Sequence, residues 1–394
     1  MKQIYSKAFV LLVAVMLLSC QKKATETIHS GAAFSLNMEA IAEKLLERSS
    51  LQPGERVVMI GQPGEFDSLV SLLGRKIASR GAVYLGTLSV DTVTWPQAWK
   101  TDFIKSTEGM NQEELTRLFS DVDLGIMLPG ANPSHAPYAA MQSVLRQGSG
   151  RTIHFHWIGA YDFAANPIPI DSNASMLYQR ALLETDYLQL YRIMEAFDSS
   201  VRKNDVTITT LAGTNLTFKI GDRPVTKQNG NASMARTKFA RNLIDREIEL
   251  PAGAIRVAPM EETVNGAIAF PNAKWNDQEV EDLVFTFKNG KVTDIKARKG
   301  VEAVKAELEM AGVAGYSFRE LALGFNPLLA IPMDKPWIPY YGYGAGVVRL
   351  SLGDNSELGG KVTGGYVRWN LFTDATVMVG NETWVKEGKL LKTR

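Results

Sequence analysis

Two patterns of apolar residues follow one another along the 394-residue chain, and the change between them lies near residue 200. Before it, amphipathic segments alternate with short apolar strands, as in 38–48, 56–60 and 66–79. This alternation predicts an N-terminal α/β domain with a mainly parallel sheet, over residues 38–200. Beyond it, short apolar runs separated by turn signals predict a β-rich α+β domain over residues 201–394.

Individual segments give sharper predictions. Asn289-Gly290 lies between two β-rich runs, which is a strong hairpin signal. Residues 176–202 carry apolar positions at helical spacing, and we predict one long helix there. A further helix is predicted over 301–310, inside the β-rich half.

The N-terminus has the composition of an export signal. Lys2 and Lys7 are followed by an apolar run, 8–18, that is too short to span a bilayer. The run ends Leu17-Leu18-Ser19-Cys20, which resembles the lipoprotein box of bacterial export signals. The resemblance implies removal of residues 1–19, acylation of Cys20 and a flexible tether over 20–37. We expect a bacterial cell-envelope protein, lipid-anchored to a membrane, with its folded part outside the cytoplasm; the alternative is an ordinary secretory signal with a chance cysteine.

Composition excludes several classes of protein. Cys20 is the single cysteine, so a disulfide framework and a thiolate metal cluster are excluded. Lysine and arginine number 43 against 42 acidic residues, and this balance gives no electrostatic footprint for nucleic acid. With only four histidines, a metal site would have to use carboxylates or that small set.

Three local motifs could carry chemistry, and each also has a structural explanation. His154 and His156 alternate on one predicted strand, so both imidazoles share a face, with Asp162 and Asp171 downstream as oxygen ligands. The alternative for the histidines is polar contacts at a sheet edge or in a cleft. Two motifs favour plain turns: 61–64 has no phosphate-loop spacing, and Ser134-His135 has no nucleophile motif around it.

Five blocks in order resemble the aminopeptidase T and aminopeptidase S family of metal-dependent exopeptidases. They are GTNLTF at 213–218, LPAGAIRVAP at 250–259, ELALGFNP at 320–327, GVVRLSLGDN at 346–355 and VRWN at 367–370. The first half also resembles the α/β domain of the family. The resemblance implies an aminopeptidase T-like fold and, because that family is commonly dimeric, a homodimer.

The family binds two metal ions through two glutamates, two histidines and an aspartate. By the resemblance these positions fall on Ala254, Glu320, Arg349, Arg368 and Asn370, so only Glu320 is retained. Alanine has no donor atom, and arginine is always protonated and offers no lone pair. We therefore predict a metal-free pocket that holds Glu320, Arg349, Arg368 and Asn370 together, either as an internal glutamate–arginine network or as a site for an anion such as a peptide carboxylate.

Three further residues lie at or near the site positions of the family. Where some family members carry a nearby tyrosine, the alignment gives Ser356. Glu261 and Glu262 follow the Ala258-Pro259 turn and could in principle supply carboxylates, although an ordinary acidic turn explains them as well.

The sequence thus predicts an envelope lipoprotein that is catalytically inactive and binds a peptide, an amino acid or a protein partner. We expect no cofactor. The alternative is an active metal-dependent aminopeptidase whose relocated ligands include His154, His156 or Glu261; it would hold two divalent ions, zinc or cobalt, by family resemblance. A third hypothesis, a purely structural envelope protein, predicts a filled pocket without ligand.

Overall fold

A five-stranded parallel sheet is built mainly from the first half of the chain. In the computed structural model, which describes residues 34–91 and 95–392, its strand order is β2-β1-β3-β4-β8. The strands are β1 (Arg56–Gly61), β2 (Val83–Ser89), β3 (Leu124–Met127), β4 (Arg151–Phe155) and β8 (Glu247–Leu250). Their interior positions are fully buried, as expected for a parallel sheet covered on both faces.

Helices of the first half of the chain pack on this sheet. Within the described residues, the α-helices of the whole chain are α1 (Met38–Ser49), α2 (Asp67–Ser79), α3 (Asp102–Lys105), α4 (Gln112–Leu118), α5 (Ala136–Arg146), α6 (Ser172–Glu184), α7 (Tyr187–Val201), α8 (Met234–Thr237) and α9 (Val301–Ala311). Of these, α8 and α9 belong to the later part of the chain. Asn37 caps α1 and Asn111 caps α4 by accepting backbone N–H groups of the first turn. α5 was not predicted from the sequence.

The long helix predicted over residues 176–202 is wrong, because the segment forms α6 and α7 with a break at Thr185 and Asp186. The Asp186 side chain accepts the backbone N–H of Gln189 and so starts a new helix. The Thr185 hydroxyl donates to the carbonyl of Ala181 and accepts from the Asn326 amide. Aspartate followed three residues later by glutamine is a helix-start signal that the sequence contained.

An antiparallel eight-stranded sheet follows in the order β14-β13-β10-β6-β5-β18-β19-β20. Its strands are β5 (Val206–Thr209), β6 (Asn215–Phe218), β10 (Asn265–Ala269), β13 (Val284–Lys288), β14 (Lys291–Lys296), β18 (Thr376–Val379), β19 (Glu382–Lys386) and β20 (Lys389–Leu390). The hairpin predicted at Asn289-Gly290 is confirmed, since β13 and β14 pair across it and both residues have positive φ. A two-stranded sheet pairs β11 (Ala273–Trp275) with β12 (Gln278–Val280).

A third large sheet, the five-stranded antiparallel sheet, has the order β17-β16-β15-β9-β7. Its strands are β7 (Val225–Gln228), β9 (Ala254–Val257), β15 (Phe318–Gly324), β16 (Val348–Gly353) and β17 (Val367–Phe372). Only residues 251–253 separate β8 of the parallel sheet from β9 of this sheet. The LPAGAIRVAP block therefore places its first half in one sheet and its second half in another.

The predicted fold class, an N-terminal α/β region with a parallel sheet followed by a β-rich region, is confirmed. Leu36–Arg394 forms one compact unit. The domain boundary near residue 200 stays a prediction: β5 and β6 lie in the antiparallel eight-stranded sheet, while β8 joins the parallel sheet. Across the described residues, no helix combines the length and apolar character needed to cross a membrane. The predicted signal peptide and Cys20 lie outside those residues.

Candidate functional site

The register of the five-stranded antiparallel sheet decides which side chains share a face, because residues directly opposite one another point to the same side. Glu320 lies opposite Ser351, and Ala322 lies opposite both Arg349 and Arg256. Residues two apart on one strand also share a face. Glu320, Arg349 and Arg256, from three adjacent strands, therefore project from the same face of the sheet.

These side chains form a closed set of contacts around Glu320, which is completely buried. Arg256 Nε lies 3.0 Å from Glu320 Oε2, and Arg349 Nη2 lies 3.1 Å from Oε1. The hydroxyl of Ser351 donates to the same Oε1 at 3.1 Å. A buried carboxylate is tolerated when its oxygens are matched in this way by charged donors.

Arg319 and Glu357 extend the set. A β-bulge between Phe318 and Glu320 brings the adjacent residue Arg319 toward the same group, with Nε 3.9 Å from Glu320 Oε1. Arg319 also pairs with Glu357, whose Oε1 lies 3.0 Å from Arg256 Nη2. We call Arg256, Arg319, Glu320, Arg349 and Glu357 the Glu320 cluster; three guanidiniums and two carboxylates give it a formal charge of +1.

The cluster keeps Glu320 ionised. Burial alone would raise the pKa of this carboxyl, but the guanidiniums of Arg256, Arg349 and Arg319 hold it well below its ordinary value. The same carboxylates raise the pKa of Arg256, although burial acts against this. Glu320 and Arg256 therefore stay charged across the physiological pH range.

Arg368 and Asn370 do not join Glu320. They lie opposite Leu352 and Leu350, which places them on the other face of the sheet. Arg368 stacks over the ring of Trp275 at 3.5 Å, and its Nη1 lies 2.9 Å from Glu307. The Asn370 amide donates to the carbonyl of Leu350 at 3.1 Å. The predicted pocket of four residues therefore reduces to Glu320 and Arg349.

The positions of β17 that share the face of Glu320 are Trp369 and Leu371, which lie opposite Ser351 and Arg349. Trp369 stacks on the guanidinium of Arg349 at 4.2 Å. A shift of one residue along a strand moves each side chain to the other face. Arg368 and Asn370, which were predicted beside Glu320, therefore lie on the opposite side of the sheet from it.

The remaining donor set does not fit two divalent metal ions. Ala254, at a family ligand position, is buried in β9 and has no donor atom. The one retained carboxylate, Glu320, is already matched by guanidinium groups, whose positive charge would repel a dication. In the part of the chain that the structure describes, no three histidine, cysteine, aspartate or glutamate side chains are grouped so that they could hold a metal ion.

The histidine pair lies at the end of β4, with ring centroids 5.4 Å apart. Both ring nitrogens of His154 have hydroxyl partners, Tyr138 at 3.0 Å and Thr152 at 2.9 Å. Burial lowers the pKa of His154 far below its ordinary value, and burial also lowers that of His156. His154 therefore acts as a neutral hydrogen-bonding core residue. Nε2 of His156 is buried and makes no hydrogen bond within the described residues.

Glu247 lies beside His154, with 3.9 Å between Oε1 and Nε2. Burial raises the pKa of Glu247 to about 8, while a hydrogen bond from Gln142 opposes the rise. Since the pKa of His154 is lowered and that of Glu247 is raised, this contact joins two neutral groups at neutral pH rather than an ion pair.

The other candidate carboxylates serve local structure. Asp162 accepts backbone N–H groups of Ala164 and Asn166, and Asp171 caps α6. Glu261 pairs with Arg223 and accepts the Asn355 amide at 3.0 Å. The three carboxylates therefore stabilise turns and loops through these local contacts.

Further motif residues also make local contacts, and Glu262 is exposed. Ser356 donates its hydroxyl and its backbone N–H to Asp354. Ser134 donates to Asn132, whose own N–H donates to His135 Nδ1, within one turn. The 61–64 motif is a turn between β1 and α2.

Sequence reasoning missed Arg256, Arg319 and Glu357. A signal for the two arginines was present, because each interrupts an otherwise apolar strand, AIRV in β9 and FRELALG in β15. Arginine is almost never fully buried unless it is paired, so charges inside core strands indicate partners on neighbouring strands. Glu357 lies in a loop, and its pairing could not be predicted without the fold.

Comparison with known proteins gives matches in sequence and in fold. Residues 189–327 match a family described as thermophilic metalloprotease (M29). Aminopeptidase AmpS of Bacillus subtilis (strain 168) is 26% identical over 125 residues, which are 32% of this chain and 27% of the relative. The matched region therefore spans about a quarter of that curated relative.

Two solved structures share the fold. One is 2,5-dihydroxypyridine dioxygenase from Pseudomonas putida KT2440, with a TM-score of 0.59 and 13% identity over 90% of this chain and 96% of that chain. The other is wild-type AmpT from Thermus thermophilus, with a TM-score of 0.56 and 14% identity over 90% of this chain and 99% of that chain. One of the two is named as a dioxygenase and the other as AmpT, so the shared fold does not define a reaction. The sequence blocks, the match at residues 189–327 and the fold together confirm the recognition: this chain resembles the aminopeptidase T and aminopeptidase S family.

Proposed function

We propose that this protein is a non-catalytic relative of metal-dependent aminopeptidases, held by a lipid at the bacterial cell envelope, that binds a peptide, an amino acid or a protein partner. The observation that carries the proposal is the Glu320 cluster. The cluster carries a charge of +1, it contains two of the five positions that the family resemblance assigns to metal ligands, Glu320 and Arg349, and its charged groups pair with one another.

Electrostatics supports the loss of catalysis. A dication entering this face would meet three guanidiniums, of which Arg319 and Arg349 are each 2% exposed and Arg256 is 5% exposed. Buried charges interact more strongly than exposed ones because water screens them less. A metal ion that activates water needs free lone pairs and an open position, and the cluster supplies neither.

The alternative, an active aminopeptidase with relocated ligands, finds little support. His154 uses both ring nitrogens on Tyr138 and Thr152, and Glu261 is paired with Arg223. A metal would have to displace these partners. If the enzyme were active, zinc or cobalt would serve as the Lewis acid, as the family resemblance implies.

Measurements of metal content and of hydrolysis distinguish a non-catalytic protein from an active aminopeptidase. We expect the purified full-length protein in detergent to contain no stoichiometric zinc or cobalt by mass spectrometry, and to release no p-nitroaniline from aminoacyl p-nitroanilides with either metal added. Chelator-sensitive release by the wild-type protein would contradict the proposal. An Arg256→Gln variant, which removes one guanidinium, should remain inactive, because the other family ligands are still missing.

The lipid anchor has a separate test. Cys20→Ser should release the protein from the membrane fraction or leave the signal peptide uncleaved, because acylation needs the thiol. A Ser19→Ala variant, which keeps the thiol, is the matched control and should fractionate with membranes. Unchanged fractionation and processing of Cys20→Ser would contradict lipidation.

A homodimer, proposed from the family resemblance, can be checked by light scattering on the same preparation.

A further inference from the structure

A cavity of about 650 Å³ opens beside the Glu320 cluster. Arg319 and Glu357 of the cluster form part of its wall. Arg146, at the end of α5, and Arg246, just before β8, contribute from the parallel-sheet side. Its volume lies within the range of about 300–1,000 Å³ that is usual for small-molecule sites.

Positive charge dominates the wall of this cavity. Four arginines line it, at positions 146, 241, 246 and 319, against the two carboxylates of Asp354 and Glu357. Both carboxylates are already used. Asp354 accepts hydrogen bonds from Ser356, Gly364 and Gly365, and Glu357 pairs with Arg256 and Arg319.

Two of the arginines form no ion pair with a carboxylate of the described residues. Arg241 pairs with the exposed carboxylate of Asp222 at 2.9 Å. Among the described residues, no carboxylate lies within 4.0 Å of a guanidinium nitrogen of Arg146 or Arg246. Arg246 is nevertheless held in place, because it donates to the carbonyls of Gly150 and Thr237. A guanidinium fixed by neutral carbonyls keeps its charge available for a ligand.

The wall also contains donors without acceptors. Nδ2 of Asn242 is buried and makes no hydrogen bond to any described residue. Its Oδ1 accepts the backbone N–H of Asp245 at 2.9 Å, which fixes the orientation of the amide. Nε of Arg319 is likewise buried without a hydrogen-bond partner in the described part of the chain. Buried donors left unpaired are costly, and these two lie on residues that line the cavity.

We propose that this cavity is a binding site for the oxyanion group of a small ligand, a carboxylate or a phosphate, held by Arg146 and Arg246. The inference deepens the binding role given under the proposed function and rests on that role. Arginine forks match the planar carboxylate and the phosphate group, and their excess positive charge excludes cationic ligands. The site is adjacent to the Glu320 cluster but does not use Glu320 itself.

The test is calorimetric titration of the full-length protein in detergent with three probes: N-acetyl-dialanine, its uncharged C-terminal amide, and inorganic phosphate. We expect at least one anion to bind, with affinity that falls as sodium chloride is added, and the amide not to bind. Binding of phosphate alone assigns the site to phosphate ligands, and binding of N-acetyl-dialanine alone assigns it to carboxylates.

Arginine-to-glutamine variants test where the anion binds. Arg246→Gln and the exposed Arg146→Gln should each weaken anion binding by about tenfold or more, because each removes a charge-assisted contact. Arg75→Gln, an exposed arginine on α2, should bind as the wild type does. Circular dichroism confirms that the variants are folded; Arg146 is exposed, so its variant keeps the test valid if Arg246→Gln unfolds.

Three results would overturn the inference: no anion binds the wild type, the amide binds as well as the acid, or neither arginine variant changes affinity. These outcomes are distinct from failure of the proposed function. Chelator-sensitive hydrolysis would refute the absence of catalysis and leave an observed anion site in place, whereas a failed titration with no hydrolysis would refute this cavity alone.

Discussion

Arg349 and Arg368 lie on adjacent strands, and both fall on histidine positions of the family by sequence, yet they occupy opposite faces of one sheet. Arg349 is 2% exposed and binds the buried carboxylate of Glu320. Arg368 has a side chain that is 18% exposed, and it lies between Glu307 and the ring of Trp275. The same residue type therefore belongs to a buried ionic network on one face and makes a peripheral stacked contact on the other.

Loss of the central carboxylate should have the largest effect. Glu320→Gln leaves three guanidiniums around a neutral side chain, and we expect the free energy of unfolding to fall by about 3–5 kcal/mol. The matched change on the other face, Glu307→Gln, should cost only about 1–2 kcal/mol. Urea denaturation followed by tryptophan fluorescence measures both. Equal losses would mean that the two faces do not differ in the way their contacts indicate.

Removing an arginine should cost less than removing the acid, because the cluster carries an excess positive charge. Arg349→Met leaves two guanidiniums and two carboxylates and should lower the free energy of unfolding by about 2 kcal/mol, while Arg368→Met should lower it by about 1 kcal/mol. Methionine keeps much of the apolar stem in both cases. A larger loss for Arg368→Met, measured by the same denaturation, would reverse the comparison.

Another buried carboxylate, Glu247, makes the stability of the protein depend on pH in the opposite sense to Glu320. Glu247 accepts a hydrogen bond from Gln142 instead of an arginine, and burial raises its pKa to about 8. Because the folded state holds this proton more tightly, the group's contribution to stability is complete below pH about 4.5 and is lost as pH rises to about 8. Glu320, whose pKa is lowered, contributes in the opposite sense: its stabilisation is present above the unfolded pKa and is lost at acidic pH.

The corresponding variant is Glu247→Gln. It should flatten the fall in stability between pH 5 and pH 8 by about 1–3 kcal/mol, as measured by thermal unfolding across that range. Glu307→Gln, which leaves Glu247 in place, is the control and should keep the wild-type slope. An unchanged slope for Glu247→Gln would mean that this carboxyl is ionised in the folded protein.

Much of the fold could be predicted from the sequence, because its signals are local. Alternating apolar segments predicted the parallel sheet, and Asn289-Gly290 predicted the β13–β14 hairpin of the eight-stranded sheet, since both residues tolerate positive φ. The order of the family blocks placed Glu320 and Arg349 near one another, and they are 3.1 Å apart. The helix break at Asp186 was also local, but continuous apolar spacing across it outweighed the capping signal.

The rest could not be predicted, because it depends on register between strands distant in sequence. Letter matching identifies the VRWN block but does not fix which of its residues faces Glu320, and one residue of offset exchanges the two faces. The partners of Arg256 and Arg319 come from β15 and from the loop at Glu357, which meet only in the folded chain.

The closed charge pattern of the Glu320 cluster also restricts how this sequence can change over evolutionary time. Because each guanidinium is balanced by a carboxylate that another guanidinium shares, a single replacement of Arg349 by histidine or of Ala254 by glutamate alters the balance without completing a metal centre. Replacements within the cluster are therefore expected to be epistatic: the effect of changing one member on stability depends on which other members are present.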